Sequence, residues 1–265
     1  MTDDSGHQPG LPANRTIARY GWVRDLPDAR DHIYSAPHAA LTRPPAKVDL
    51  TPGMPAVYDQ GALGSCTANA LAGAFEFDLG KQRLADFVPS RLFIYYNERV
   101  IESTVGSDSG AQLRDGVKSL AKQGVCTESE WPYDIPKFAD KPAAALYQKA
   151  LANRIVSYQR VTQTVAQLRG CLAAGYPFVV GFTVYQSFES QQVAETGVVP
   201  MPVAGEEILG GHAVAVVGYD EASQRFRARN SWGAGWGQAG YFTIPYAYLA
   251  DSGLAADCWT LRTVS

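Results

Sequence analysis

The segment Tyr58-Asp59-Gln60-Gly61-Ala62-Leu63-Gly64-Ser65-Cys66-Thr67-Ala68 sets a cysteine directly after a Gly-containing turn, at the head of an apolar, proline-free run. A cysteine in the first turn of a helix meets the positive end of the helix dipole and several backbone N–H groups that lack intrahelical partners. Both favour thiolate over thiol, and the thiolate is the nucleophile. Upstream, Gln60 carries an amide N–H that can converge with the backbone N–H of Cys66. Two such donors are what the oxyanion of an acyl-transfer intermediate requires. Taken alone, the segment equally fits a small buried cysteine behind a turn.

A second segment, Gly210-Gly211-His212-Ala213-Val214-Ala215-Val216-Val217-Gly218-Tyr219, carries the one histidine outside the first 46 residues. It is expected to open an apolar strand, with its ring at a cleft edge. A lone histidine in such a strand is more often a satisfied core residue. The third segment is Arg229-Asn230-Ser231-Trp232-Gly233-Ala234-Gly235-Trp236-Gly237, followed by Gly240-Tyr241-Phe242. Asn230 can accept the second ring N–H of a histidine while the Trp232 indole keeps water away, which holds the imidazole in the useful tautomer. Alone, this segment is a Gly/Trp turn between strands.

The elements that must position these residues divide along the chain. Cys66–Gln82, Ser90–Ile101, Gln112–Gln123 and Val165–Ala174 show helical spacing, with Gly124 and Gly175 as stops. Phe178–Val184, His212–Tyr219, Arg225–Arg229, Gly240–Ile244 and Cys258–Val264 are rich in β-branched and aromatic residues and predict strands. Helices first and strands later predict an α+β protein of two lobes, about 50–150 and about 155–265. Residues 1–46 form a Pro- and Ala-rich leader, and Pro44-Pro45 suits a linker.

Bulk properties exclude several classes. Of 265 residues, 46% are hydrophobic and 18% charged, which is globular rather than disordered composition. A net charge of −3 argues against nucleic acid as the main partner. No apolar run approaches the ~18 residues of a membrane span, so no membrane partner is expected. The polar start, Met1 to Gly10, lacks a secretory signal's apolar core, which makes a cytoplasmic location the default expectation. The four cysteines show no C-x-x-C pair, so no metal site is expected.

Gln-x-x-x-Gly-Ser-Cys, Gly-His-Ala-Val-x-x-Val-Gly-Tyr and Asn-Ser-Trp-Gly-x-x-Trp-Gly-x-x-Gly-Tyr-Phe occur in the order of the papain family, and the chain from 48 to 265 resembles that family. His212 lies 146 residues beyond Cys66 (212 − 66), inside the separation of about 130–150 known for papain and cathepsins. Ser109-Gly110, Trp131-Pro132-Tyr133 and Tyr176-Pro177-Phe178-Val179-Val180 are weaker matches. The resemblance implies a papain-like two-lobe fold, with the leader at 1–46 and a peptidase domain at 47–265. It implies a cysteine peptidase acting through a thioester, without a cofactor, on a peptide or protein substrate. Cys66 would be the nucleophile, His212 the base, Asn230 the orienter and Gln60 the oxyanion donor. Gly110 and Gly211 would bind the substrate backbone, and Ala111, Gly181 and Ala213 would lie near the pocket for the second residue before the cut. Trp232 would shield the Asn–His bond. A transamidase or deamidase using the same acyl-enzyme is the alternative.

Two departures stand out. Leu63 occupies a family half-cystine position, and Cys126, Cys171 and Cys258 read as buried thiols. The leader is far shorter than the family's helical pro-region, which suits a bacterial branch. In papain relatives the pro-segment runs through the cleft in reverse, so this leader is expected to pack over part of the cleft and restrict access to Cys66; the alternative is a strap that packs away from the cleft and only stabilises the domain. The apolar cluster of Tyr20, Trp22, Val23, Leu26, Ile33 and Tyr34 must be buried against the domain or stay disordered, with Arg24, Asp25, Asp28, Arg30 and Asp31 keeping the segment at the surface.

Overall fold

The structure, a computed structural model, describes residues 20–263. Positions 1–19 of the leader and Val264 lie outside the described residues. In chain order the main elements are β1 (Trp22–Val23), β2 (Ile33–Tyr34), α1 (His38–Thr42), β3 (Lys47–Asp49), α2 (Cys66–Gln82), α3 (Arg91–Glu102), β4 (Ala111–Gln112), α4 (Leu113–Lys122) and α5 (Ala144–Ala150). There follow β5 (Ile155–Val161), α6 (Val165–Ala173), β6 (Phe178–Tyr185), α7 (Gln191–Thr196), β7 (Ile208–Asp220), β8 (Arg225–Arg229), β9 (Tyr241–Pro245), α8 (Tyr246–Ala250) and β10 (Ala255–Thr263).

Helix α2 has the expected bounds. Small residues line it (Ala68, Ala70, Ala72, Ala74), so neighbours approach closely, and almost every side chain up to Leu79 is buried. It ends at Arg83, whose φ of 58° breaks the helical path. Ser90 caps α3 by accepting the N–H of Phe93 at 3.1 Å. Positive φ at Gly124 and Gly175 turns the chain after α4 and α6, as the stop signals imply.

The β lobe is an eight-stranded sheet ordered β2-β5-β10-β6-β7-β8-β9, with β3 on β7. Strand β7 begins at Ile208, so His212 sits inside the strand, opposite Phe182 of β6, rather than opening it. One apolar cluster beneath α2, α3 and α4 holds Phe75, Leu92, Phe93 and Leu113; a second fills the sheet side with Phe178, Phe182, Phe226 and Phe242.

The leader is stitched to both lobes. Strand β1 pairs parallel with β4, and β2 pairs parallel with β5. Beyond β2, the N–H of Ala36 donates to Gln167 Oε1 of α6 at 3.0 Å. The expected division of its side chains is half wrong. Trp22 and Tyr34 are buried, but Leu26 is 70% and Ile33 57% exposed, while Asp25 is only 8% exposed. Buried ionic contacts of Asp25 and Asp31 hold this stretch together with the Trp22 and Tyr34 rings, which join the two apolar clusters.

Candidate active site

Cys66 is the first residue of α2 and is 0% exposed. Backbone N–H groups of Ala213, Gly21 and Thr67 lie close enough to its sulfur to favour the thiolate. Ala213 follows His212 in β7, so that strand and the head of α2 meet at the sulfur. On the ring itself, Nε2 of His212 lies 2.8 Å from Asn230 Oδ1. That oxygen also accepts the N–H of Ser231 at 2.9 Å, which fixes the amide's orientation. Trp232 tilts over the imidazole with ring centroids 5.2 Å apart, and Phe182 and Phe188 pack on its other sides. The Asn230–His212 hydrogen bond is thus made inside an aromatic shell, where loss of water strengthens it.

Gln60 is also 0% exposed. Its Nε2 donates to Leu63 O at 2.9 Å, and its Oε1 accepts from Ser231 Oγ at 2.6 Å. Its backbone N–H donates to Ser231 O at 2.9 Å, and Tyr133 Oη donates to its carbonyl at 2.9 Å. A side-chain amide has two N–H groups, so the Leu63 bond orients Nε2 and leaves a second donor. Ser231 and Tyr133 are supports that motif reading did not single out for this role, although both lie in segments flagged above.

The pocket residues separate. Gly181 and Gly211 line one space together: a Cβ added at them would sit 1.9 Å and 2.6 Å from the Trp22 ring of the leader. Gly110 donates its N–H to Tyr95 Oη at 3.1 Å, and the next residue, Ala111, donates its N–H to Gly21 O of the leader at 2.7 Å.

Gly21 lies on the nucleophile. A Cβ there would fall 1.7 Å from Gly64 O, so only glycine passes between the turn and Cys66. Tyr20 stacks edge-on against His212 at 5.8 Å and donates its hydroxyl to Glu189. With this cover in place, burial pushes the Cys66 thiol up to about 12, although the three N–H groups oppose the shift. The thiolate expected from the helix terminus is therefore not favoured in this state. All four cysteines are free and buried.

Further along, Asp25 and Asp31 dock on Arg114 and Arg160. Arg160 reaches Asp25 Oδ2 at 2.7 Å, Asp31 Oδ2 at 2.9 Å and Asp257 Oδ1 at 3.1 Å. Arg114 pairs with Asp31 at 2.6 Å and donates its backbone N–H to Asp25 Oδ1 at 3.0 Å. Trp259 Nε1 adds a 2.8 Å bond to Asp25 Oδ2. None of these was singled out as a site in the sequence.

The two lobes, the cysteine at a helix head and the Asn-braced histidine on the facing strand define a papain-like cysteine peptidase. The chain belongs to that family: the model described as "Papain family cysteine protease" matches residues 44–260. It is similar to xylellain, a cysteine protease from Xylella fastidiosa, at 44% identity, covering 95% of this chain and 98% of that one with a TM-score of 0.89. An uncharacterized peptidase C1-like protein of Acanthamoeba polyphaga mimivirus is 41% identical over 94% of this chain and 89% of its own length. Procathepsin L 3 of Tenebrio molitor, at 22% identity, shares the fold with a TM-score of 0.69 over 88% of this chain and 73% of that one. No helix among the described residues is long and apolar enough to cross a membrane.

Proposed function

We propose that the chain hydrolyses peptide bonds through a thioester on Cys66, and that residues 20–23 hold it in a closed state. The observation that carries the first part is the 2.8 Å contact between His212 Nε2 and Asn230 Oδ1, on a strand whose next residue, Ala213, brings its N–H near the Cys66 sulfur. With Nε2 engaged, Nδ1 is the nitrogen that takes the thiol proton. The sulfur attacks the carbonyl carbon, and the new oxyanion is held by the Cys66 N–H and Gln60 Nε2. As the C–N bond breaks, His212 returns its proton to the amine. Water then attacks the thioester, gives a proton to His212 and releases the acid and the thiolate.

The closed state is supported by Gly21. Its N–H faces the sulfur and its carbonyl oxygen accepts the Ala111 N–H at 2.7 Å, so the leader backbone occupies the cleft at the nucleophile. Its parallel pairing with β4 is in keeping with a pro-segment that runs against the substrate direction.

Labelling by a thiol-directed peptide epoxide, with peptide hydrolysis measured alongside, tests the reading. Cys66→Ala should abolish both, and a residual kcat/KM above about a thousandth of wild type would refute the assignment. Gln60→Ala should lower kcat roughly 10- to 1,000-fold with KM little changed. Products analysed with and without added amine separate hydrolysis from acyl transfer.

A further inference from the structure

Between α2, α3 and α4 lies a carboxyl that the chemistry above does not use. Glu98 of α3 is 0% exposed, and its Oε1 has no hydrogen-bond partner among the described residues. Its Oε2 accepts the Thr67 hydroxyl of α2 at 2.8 Å. Gly116 of α4 opens the slot that holds it: a Cβ there would fall 2.4 Å from Glu98 Oε1 and 2.2 Å from the Leu71 side chain. A glycine inside a helix costs stability, and so does a buried acceptor left unpaired. Both costs meet one residue from the nucleophile.

Thr67 follows Cys66 and is itself buried. Its N–H lies near the Cys66 sulfur while its hydroxyl is on Glu98, so the head of α2 is tied from within to α3. The surroundings supply the carboxyl with no free counter-charge. Arg99, next on α3, spends its guanidinium on the carbonyls of Tyr95, Val105, Ser107 and Phe138. Glu102 of α3 and Asp115 of α4 add further carboxyls, and the Cys66 thiol lies on the α2 side. Burial first, then these like charges, hold Glu98 well above the usual carboxylate range, against the Thr67 hydroxyl and Arg99. A charged carboxylate here would oppose the Cys66 thiolate, and a neutral one does not.

We propose that Glu98 is a positioning residue for the nucleophile: through the Thr67 hydroxyl it fixes the head of α2, and with it the Cys66 sulfur and the Cys66 N–H. It does so as the neutral acid, which leaves the thiolate unopposed. The proposal rests on the peptidase reading above.

The test uses the full chain and a fluorogenic peptide, and reads kcat at saturation, where substrate has displaced the leader from every molecule. Thr67→Val combined with Glu98→Met removes the bond and leaves neither partner unpaired, so Tm should stay near the wild-type value or rise. Yet kcat should fall roughly 10- to 100-fold with KM little changed, the scale of a slightly misplaced reacting group. Each single variant should lose as much kcat as the pair, since the two side chains act through one bond. Glu98→Gln keeps the bond with an uncharged group; it should recover most of kcat, and its pH profile should overlay that of wild type. Wild-type kcat in the double variant would overturn the proposal. So would a kcat loss that merely follows Tm down across the variants. A Glu98→Gln profile displaced to lower pH, as loss of a negative charge would give, would overturn it as well. Should the double variant not fold, Thr67→Val against Thr67→Ser makes the same comparison, with only the serine keeping kcat. A wild type that cleaves nothing counts against the peptidase reading alone, and the maximal rate at which a peptide epoxide labels Cys66 then carries the comparison.

Discussion

Two regions meet at Cys66, and they are held by different physics. On the sheet side, His212, Asn230 and Trp232 are fixed by a hydrogen bond inside packed rings, with Phe188 lying 5.6 Å from both Trp232 and Trp236. On the leader side, residues 20–31 are held by a cleft-filling indole and by Asp25 and Asp31 on Arg114 and Arg160. Packing between rings answers weakly to salt, whereas ion pairs weaken with salt and when a partner titrates. In the closed state proposed above, opening would break the second region and leave the first intact.

Breaking the permanent side should have the largest effect. His212→Ala removes the base and acid together, and members of such a unit fail non-additively, so kcat/KM should fall by ~10³ or more. Circular dichroism and melting should remain close to wild type; a modest rate loss would mean that the ring is structural. Breaking the leader side should act in the opposite direction. In Gly21→Ala the new Cβ meets the Gly64 carbonyl at 1.7 Å, a backbone clash with no rotamer to relieve it. Overpacking costs of ~1–3 kcal/mol translate to roughly a 10- to 100-fold faster alkylation of Cys66 as the leader lifts away. An unchanged alkylation rate, with Cys126, Cys171 and Cys258 as controls, would show that the cover does not limit access.

The same contrast explains what was legible in the sequence. Cys66, His212 and Asn230 each lie in a segment with a local pattern: a turn before a helix, an apolar strand, and a Gly/Trp turn after β8. Helix α2 and strand β8 accordingly have the expected bounds. Asp257 and Arg160 carry no such pattern. Arg160 lies in β5, a strand with polar residues at Ser157 and Gln159 that was not anticipated, and its partners are 97 and 135 residues away in sequence. An Asp in a leader reads as a surface charge unless a distant arginine is known to face it. That partner is supplied only by the fold, which is why Asp25 was expected outside and lies inside.

The smallest effect expected sharpens the comparison by pH. Asp25 is pushed up to about 6, first by burial and then by the Asp257 charge, against the Arg114 N–H, Trp259 and Arg160, which lower it. Asp31, between the two guanidiniums, is shifted down, and Glu102 close by is pushed up to about 7 by burial. For a free leader, Asp25 would titrate near the ordinary aspartate value of about 3.9. A group whose value is raised on docking binds a proton on docking. Its contribution is therefore full below about pH 4 and is lost as pH rises through about 6. Asp31 has the opposite sign, but its contribution fades only below pH 4, outside the window. From pH 5 to 7.5 the docking constant should fall by about tenfold through Asp25. Hydrogen exchange at the Ala111 and Arg114 amides reads this directly, since both donate to the leader, to Gly21 O and Asp25 Oδ1. Once the intrinsic rate is divided out, their protection should drop by that factor in wild type and stay flat in Asp25→Asn. Protection that holds or grows between pH 5 and 7.5 in wild type would mean that the leader is a permanent strap, as firmly fixed as the aromatic cage across the cleft.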